Sequence, residues 1–271
     1  MLKTALFTAA TTVLALATPV SAQPAPSWWA PVAGERVVDL QLGRGVTQRI
    51  LYDAPARPLA TLVMLPGGSG EVGVRRDGDI RHDDNFVVRT RASWVANGYA
   101  VLIPDTIDQT NLRGVRSSPA YGQLVDRLAA YARSQVHAPV FLIGTSQGTI
   151  AAMNGASHAR PGVVSGLVLT ESVSVPGRLS TETVFDADPQ DVRVPALVVA
   201  NRDDACDVAP PAMASRIAAA MARSPSVRVL AFNGGVQRSA KACGSLSPHG
   251  YYGIERQVIA QISAWILAHG A

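Results

Sequence analysis

The apolar run Val140-Phe141-Leu142-Ile143 leads straight into Gly144-Thr145-Ser146-Gln147-Gly148, and this junction constrains the fold more than any other stretch of the chain. Four apolar residues in a row suit a strand buried on both faces. G-x-S-x-G suits a sharp strand-to-helix turn in which the serine takes a strained backbone conformation and small residues two positions to either side let strand and helix pass closely. Residues 149–159 (TIAAMNGASHA) supply a small-residue helix, ended by Arg160-Pro161-Gly162. The pentapeptide alone fits an ordinary turn equally well. Its flanks give the strand, elbow, helix order that would push the Ser146 hydroxyl out into a cleft.

The rest of the chain can be read around that unit. Residues 36–42 and 47–52 alternate apolar and polar side chains about Gly43-Arg44-Gly45, predicting an antiparallel hairpin at a sheet edge. Beyond it the runs 59–65, 100–103, 140–143, 164–169, 196–200 and 227–232 are short and apolar, as in strands covered on both sides. Helical patterns fall between most of them, at 84–97 (closed by Gly98), 119–134, 210–223 and 254–269. A hairpin followed by alternating strands and helices implies an α/β fold with a mostly parallel eight-stranded sheet and helices on both faces.

Residues 1–22 carry Lys3, an apolar stretch over 5–17 and Val20-Ser21-Ala22, the layout of a signal peptide. That stretch is short for a bilayer span. A secreted or periplasmic protein is therefore expected, with no stable membrane insertion after cleavage and one catalytic domain over residues 23–271. Within 23–31 (QPAPSWWAP), Trp28 and Trp29 are read as covering a core edge rather than binding a ligand. The formal charge of +4 is scattered, without a basic run interleaved with aromatics, so nucleic acid is not an expected partner. Oligomeric state is left open.

Two cysteines, Cys206 and Cys243, meet oxidising conditions in an exported protein, and a disulfide is the expectation. It would be worth about 3 kcal/mol in the chain-entropy account. The competing readings are two buried thiols, or a metal site borrowing Asp207 and His249. Two cysteines without metal-ligand spacing argue against the metal, and no cofactor is expected.

A serine hydroxyl is a poor nucleophile until a base takes its proton, and the base needs an orienting carboxylate. Of the five histidines, His82, His137, His158 and His269 fall in a charged loop, before the elbow strand, at the far end of the elbow helix and at the C-terminus. His249 lies in Ser247-Pro248-His249-Gly250-Tyr251, after the last strand, where a loop opens on the same rim as the elbow. The acid should follow the preceding strand, where Asn201-Arg202-Asp203-Asp204-Ala205-Cys206-Asp207 offers three carboxylates. Asp204 is the first choice and Asp203 the next. A bridge between the cysteines would tie this acid loop to the histidine loop.

With Ser146, Asp204 and His249 in that chain order, the sequence resembles the α/β-hydrolase superfamily over nearly all of residues 23–271. Within it the chain looks most like secreted bacterial serine hydrolases of the dienelactone-hydrolase-like group. The resemblance implies an oxyanion hole made by the backbone amide of Gln147 and one from the loop Leu65-Pro66-Gly67-Gly68-Ser69-Gly70. Gly68 is chosen there, with Ser69 the alternative; Pro66 stands where the family often has histidine. Only residues 173–194 separate the sixth and seventh strands, too few for a large cap. Serine replaces the cysteine of true dienelactone hydrolases, so their substrate is not carried over. The implied activity is carboxyl-ester hydrolysis of a small-molecule ester through an acyl-enzyme; a peptidase or amidase with the same triad, or a silent binding protein, are the rivals. Residues 70–83, with Arg75, Arg76 and Arg81, are read as a solvated loop ahead of a carboxylate-binding one.

Overall fold

The computed structural model describes residues 34–43, 45–179 and 181–270. The expected signal peptide and the segment with Trp28 and Trp29 lie outside them.

Strands β1 (Arg36–Gly43) and β2 (Val46–Asp53) form the expected hairpin. The remaining strands are β3 (Thr61–Leu65), β4 (Ala100–Pro104), β5 (Val140–Thr145), β6 (Gly166–Thr170), β7 (Ala196–Asn201) and β8 (Val227–Phe232). They join one eight-stranded sheet in the order β1-β2-β4-β3-β5-β6-β7-β8. β2 pairs antiparallel with β4, and every later pairing is parallel. This is the α/β-hydrolase fold expected from the sequence. The chain runs outward from β3 to β4 and then crosses back to β5, so the loops after β3 and β5 diverge and leave a crevice at the carboxyl end of the sheet.

The pleat explains why the central strands read as unbroken apolar runs. Along β5, Val140 and Leu142 face one layer, with helices α3 (Pro119–Gln135), α4 (Gly148–Ser157) and α5 (Ala214–Ala220). Phe141 and Ile143 face the other, with α1 (Phe86–Arg89), α2 (Arg91–Ala96) and α6 (Glu255–His269). Both sets are fully buried, so both must be apolar. In α4 every residue from Gly148 to Ala156 is buried. Its small side chains allow that, and a Cβ on Gly155 would overlap Val125 of α3.

Three expectations need correction. The single helix over 84–97 is two short helices, because Thr90 donates its hydroxyl to the Phe86 carbonyl at 2.6 Å and turns the chain between them. The helix over 210–223 is only α5, preceded by a 3-10 turn at Pro211–Met213 that opens on the second of two prolines, and ended at Met221. β8 is not covered on both faces: it pairs only with β7, at the sheet edge, and Val229 stays 37% exposed. Between β6 and β7 stand the 3-10 turns Val184–Asp186 and Pro189–Asp191 rather than a helical cap, as expected. Among the described residues no helix is long and apolar enough to cross a membrane.

Candidate active site

Ser146 directly follows β5 with φ +53°, in the left-handed region that non-glycine residues rarely adopt. Three contacts hold it there. Its amide donates to the Thr170 carbonyl at 3.0 Å, its carbonyl accepts from the Thr149 hydroxyl at 2.6 Å, and helix α4 starts two residues later. The flanking glycines are required by space: a Cβ on Gly148 would run into the Leu65 carbonyl, and one on Gly144 into the Gly148 carbonyl. The turn thus aims the Ser146 side chain out of the sheet, and the hydroxyl meets His249.

His249 Nε2 lies 2.9 Å from Ser146 Oγ, and His249 Nδ1 lies 2.7 Å from Asp204 Oδ2. A carboxylate only accepts, so Nδ1 carries the proton and Nε2 is free to accept from the serine. The pair is nearly sealed from water, with 4% of the His249 side chain and none of the Asp204 side chain exposed. Each position is fixed locally. His249 sits in the 3-10 turn Pro248–Gly250, capped by Ser247 Oγ, which accepts from the His249 amide at 3.2 Å. Asp204 Oδ1 accepts the Cys206 amide at 2.8 Å. Asp203, the alternative acid, is exposed and uses its carboxylate to accept the Gly234 amide at 2.6 Å; Asp207 is exposed also.

Besides the His249–Asp204 bond, a disulfide and an asparagine join the acid and histidine loops. Cys206 and Cys243 form a disulfide, with Cα atoms 4.6 Å apart. Each sulfur is bonded to the other, so neither is a thiolate and the metal reading of these cysteines does not hold. The second link is Asn201, at the end of β7, whose side-chain amide donates to the carbonyls of Gly234 and Pro248 at 2.9 and 3.0 Å.

The loop after β3 passes directly beside the serine. A Cβ on Gly67 would lie 3.0 Å from Ser146 Cβ and from the Thr145 carbonyl, so backbone alone fits there, and Gly68 follows with φ +60°. Gln147, the other amide singled out from the sequence, is the residue that caps α4. Together with Ser146 and His249, Gly67, Gly68 and Asn85 line a cleft of about 330 Å³. Of the three loop arginines, Arg81 reaches this cleft, while all three line a neighbouring one. Their loop is not simply solvated: Asp105, after β4, accepts the amides of Val72 and Val74 at 2.9 and 2.7 Å, and both valines are buried.

Three contributors were not anticipated. Asn85 Oδ1 accepts from the Val87 amide at 3.3 Å, which turns its NH₂ group towards Gly67. Arg89, 2% exposed, binds Glu255 at 3.0 Å and also the Gly250 carbonyl, bracing the histidine turn from α1; burial pulls its pKa down, against the raising effect of Glu255. Glu171 directly follows β6 and is buried beside Asp204, and burial first, then the Asp204 charge, push its carboxyl well above the usual range. A charged residue at the carboxyl end of an apolar run was the available signal for Glu171. Nothing in local sequence marks the other two.

No protein-family model and no curated protein sequence matches the chain. Solved structures do. A dienelactone hydrolase from Anabaena variabilis ATCC 29413 superposes with a TM-score of 0.58 at 16% identity, covering 88% of this chain and 100% of that one. An esterase from Pyrococcus furiosus gives 0.62 at 11% identity, covering 90% and 95%. Thermogutta terrifontis esterase 2 gives 0.59 at 13%, covering 88% and 95%. At these identities the likeness is one of fold, over nearly the whole described chain.

Proposed function

We propose that the protein is a serine hydrolase acting on carboxyl esters, with Ser146 as nucleophile, His249 as general base and acid, and Asp204 as the orienting carboxylate. The observation that carries this reading is the unbroken hydrogen-bonded line from Ser146 Oγ through both ring nitrogens of His249 to Asp204, at 2.9 and 2.7 Å, starting from a serine in left-handed backbone. The esterase and dienelactone hydrolase names of structures sharing the fold are in keeping with it.

In this reading His249 Nε2 takes the Ser146 proton as Oγ attacks the ester carbonyl, and Asp204 stabilises the imidazolium that forms. The carbonyl oxygen gains negative charge and is met in this reading by the backbone amides of Gln147 and Gly68, which stabilise it electrostatically. The tetrahedral species collapses, His249 hands its proton to the departing alcohol, and the acyl group stays on Ser146. Water, deprotonated by the same histidine, then releases the acid. Both the absence of a helical cap between β6 and β7 and a cleft of about 330 Å³ suit a small ester entering from solvent. Residues 1–22 would direct the protein out of the cytoplasm, where the Cys206–Cys243 bridge is stable.

A hydrolysis panel tests the activity: p-nitrophenyl and alkyl esters of increasing acyl length beside matched amides and peptides. Turnover of short esters well above that of amides supports the reading. Faster turnover of amides or peptides would assign the same residues to an amidase or peptidase, and no turnover of any substrate would favour a binding protein.

A further inference from the structure

Behind the acid of the triad lies a second carboxyl group that the mechanism above does not use. Glu171 follows β6 immediately, at φ +48°, and is 1% exposed. Its amide donates to the Val199 carbonyl at 3.1 Å, and its Oε1 accepts the Asn201 amide at 2.8 Å, so the side chain is fixed between the ends of β6 and β7. Its other oxygen, Oε2, is buried and meets no donor among the described residues.

The groups that face it explain why. They are the Asp204 carboxylate, from the loop after β7, and the Tyr251 hydroxyl, from the turn after β8. The Tyr251 hydroxyl lies 3.1 Å from the Val199 carbonyl and within hydrogen-bonding reach of Glu171 as well, so its single hydrogen is shared between two acceptors. Asp204 is itself an acceptor, already holding the Cys206 amide on one oxygen and His249 Nδ1 on the other. No cation is among the groups that act on Glu171. Two carboxylates in contact in a dry site cannot both be ionised, and two acceptors can face each other stably only when one carries a hydrogen. Asp204 holds the Cys206 amide on one oxygen and His249 Nδ1 on the other, whereas Glu171 has the Asn201 amide and only a share in the Tyr251 hydroxyl, so the charge belongs on Asp204 and the hydrogen on Glu171.

We infer that Glu171 is a positioning residue for the triad: its carboxyl remains protonated in the folded protein and donates from Oε2 to Asp204, holding that carboxylate in line with His249 Nδ1. This rests on the Ser146–His249–Asp204 reading given above. Glu171 touches neither substrate nor Ser146. It acts through Asp204, which would otherwise be free to rotate away from the imidazole.

The test compares E171Q and E171L with wild type in the full chain, with S146A alongside. A glutamine can accept from Asn201 and donate to Asp204 as the protonated glutamate does, whereas leucine can do neither. E171L should lose roughly 10- to 100-fold in kcat with a much smaller change in KM, as expected for misplacement of a catalytic group. E171Q should recover to within about threefold of wild type, with the acid limb of its pH–rate profile unmoved. The infrared spectrum of wild type at neutral pH should contain a carboxylic C=O band that E171Q lacks, a reading that stands even if E171L does not fold. The inference is overturned if that band is missing, if E171Q falls as far as E171L, or if the E171Q acid limb moves to lower pH. That last shift is what removing a negative charge from beside the imidazolium would cause. Turnover retained by S146A would instead overturn the serine-hydrolase reading, leaving the infrared comparison to judge Glu171 separately.

Discussion

The backbone amide of Cys206 donates to Asp204 Oδ1 at 2.8 Å, so the residue that anchors the disulfide also anchors the acid of the proposed triad. The other end of the bridge, Cys243, lies in the loop that leads to His249. The covalent bridge and the proposed catalytic geometry are therefore joined at one point. Removing the bridge by a Cys206→Ser and Cys243→Ser double change should cost about 3 kcal/mol, a fall in Tm of roughly 6 to 12 °C for a domain of this size. Because both loops gain freedom, kcat/KM should also fall, by up to about tenfold. Thermal melts and initial rates, with and without reductant, check this; an unchanged Tm would show that packing alone sets the loop spacing.

Asp204 and Asp203 are adjacent in sequence but differ in what they hold. Asp204→Asn replaces a buried acceptor of the His249 Nδ1 proton and should lower kcat by about 10⁴. Asp203→Asn touches an exposed side chain that accepts from the Gly234 amide and should cost less than about threefold. Steady-state kinetics of the two variants separate the roles. A larger loss from Asp203→Asn would move the acid by one residue.

The glycines around the serine predict two different failures. A Cβ at position 67 would press on Ser146 Cβ and on the Thr145 carbonyl, both at 3.0 Å, a crowding that a shift of the serine by a few tenths of an ångström relieves. Gly67→Ala should therefore lower kcat at least about tenfold while leaving Tm nearly unchanged. A Cβ at position 148 would meet the Leu65 backbone under the sheet, where nothing can yield. Gly148→Ala should cost on the order of 3 kcal/mol or more and leave little folded protein. The contrast is read from soluble yield, Tm and kcat measured together.

Glu171 also predicts a pH dependence of stability. Burial, with the Asp204 charge second, raises its carboxyl well above the ordinary value in the folded protein. The stability that such a group contributes is complete below its unfolded value of about 4.3 and is lost as pH rises towards the folded value, because the unfolded chain releases its proton first. E171Q carries no such dependence. Its Tm relative to wild type should rise from acidic to neutral pH, ending above wild type. A difference that does not vary with pH would mean that Glu171 is ionised in the fold.

The parts legible in the sequence were those set by local pattern. The β5, elbow, α4 unit could be read because three requirements coincide within residues 140–159: a doubly buried strand, a serine in left-handed backbone, and glycines where a Cβ would strike backbone. His249 and Asp204 followed from their places after strands. What escaped notice depends on contacts between distant residues. The helix break at Thr90 and the bracing of Gly250 by Arg89 leave no local trace, and the charge of Glu171 at the end of an apolar run marks its place but not its burial beside Asp204, since that is decided by what the sheet brings alongside. β8 was misread for the same reason: its apolar residues suit a covered strand, and only the strand order shows that it stands at the edge.

The central claim is that Ser146 Oγ is the nucleophile, and covalent trapping tests it most directly. The protein is treated with a fluorophosphonate, digested, and the adduct mapped by mass spectrometry, with Ser146→Ala run in parallel and its melt recorded. The account predicts one adduct, on Ser146, its loss in the alanine variant, and ester turnover there below about a thousandth of wild type with Tm preserved. An adduct on another residue, or turnover retained by a folded Ser146→Ala protein, would contradict it.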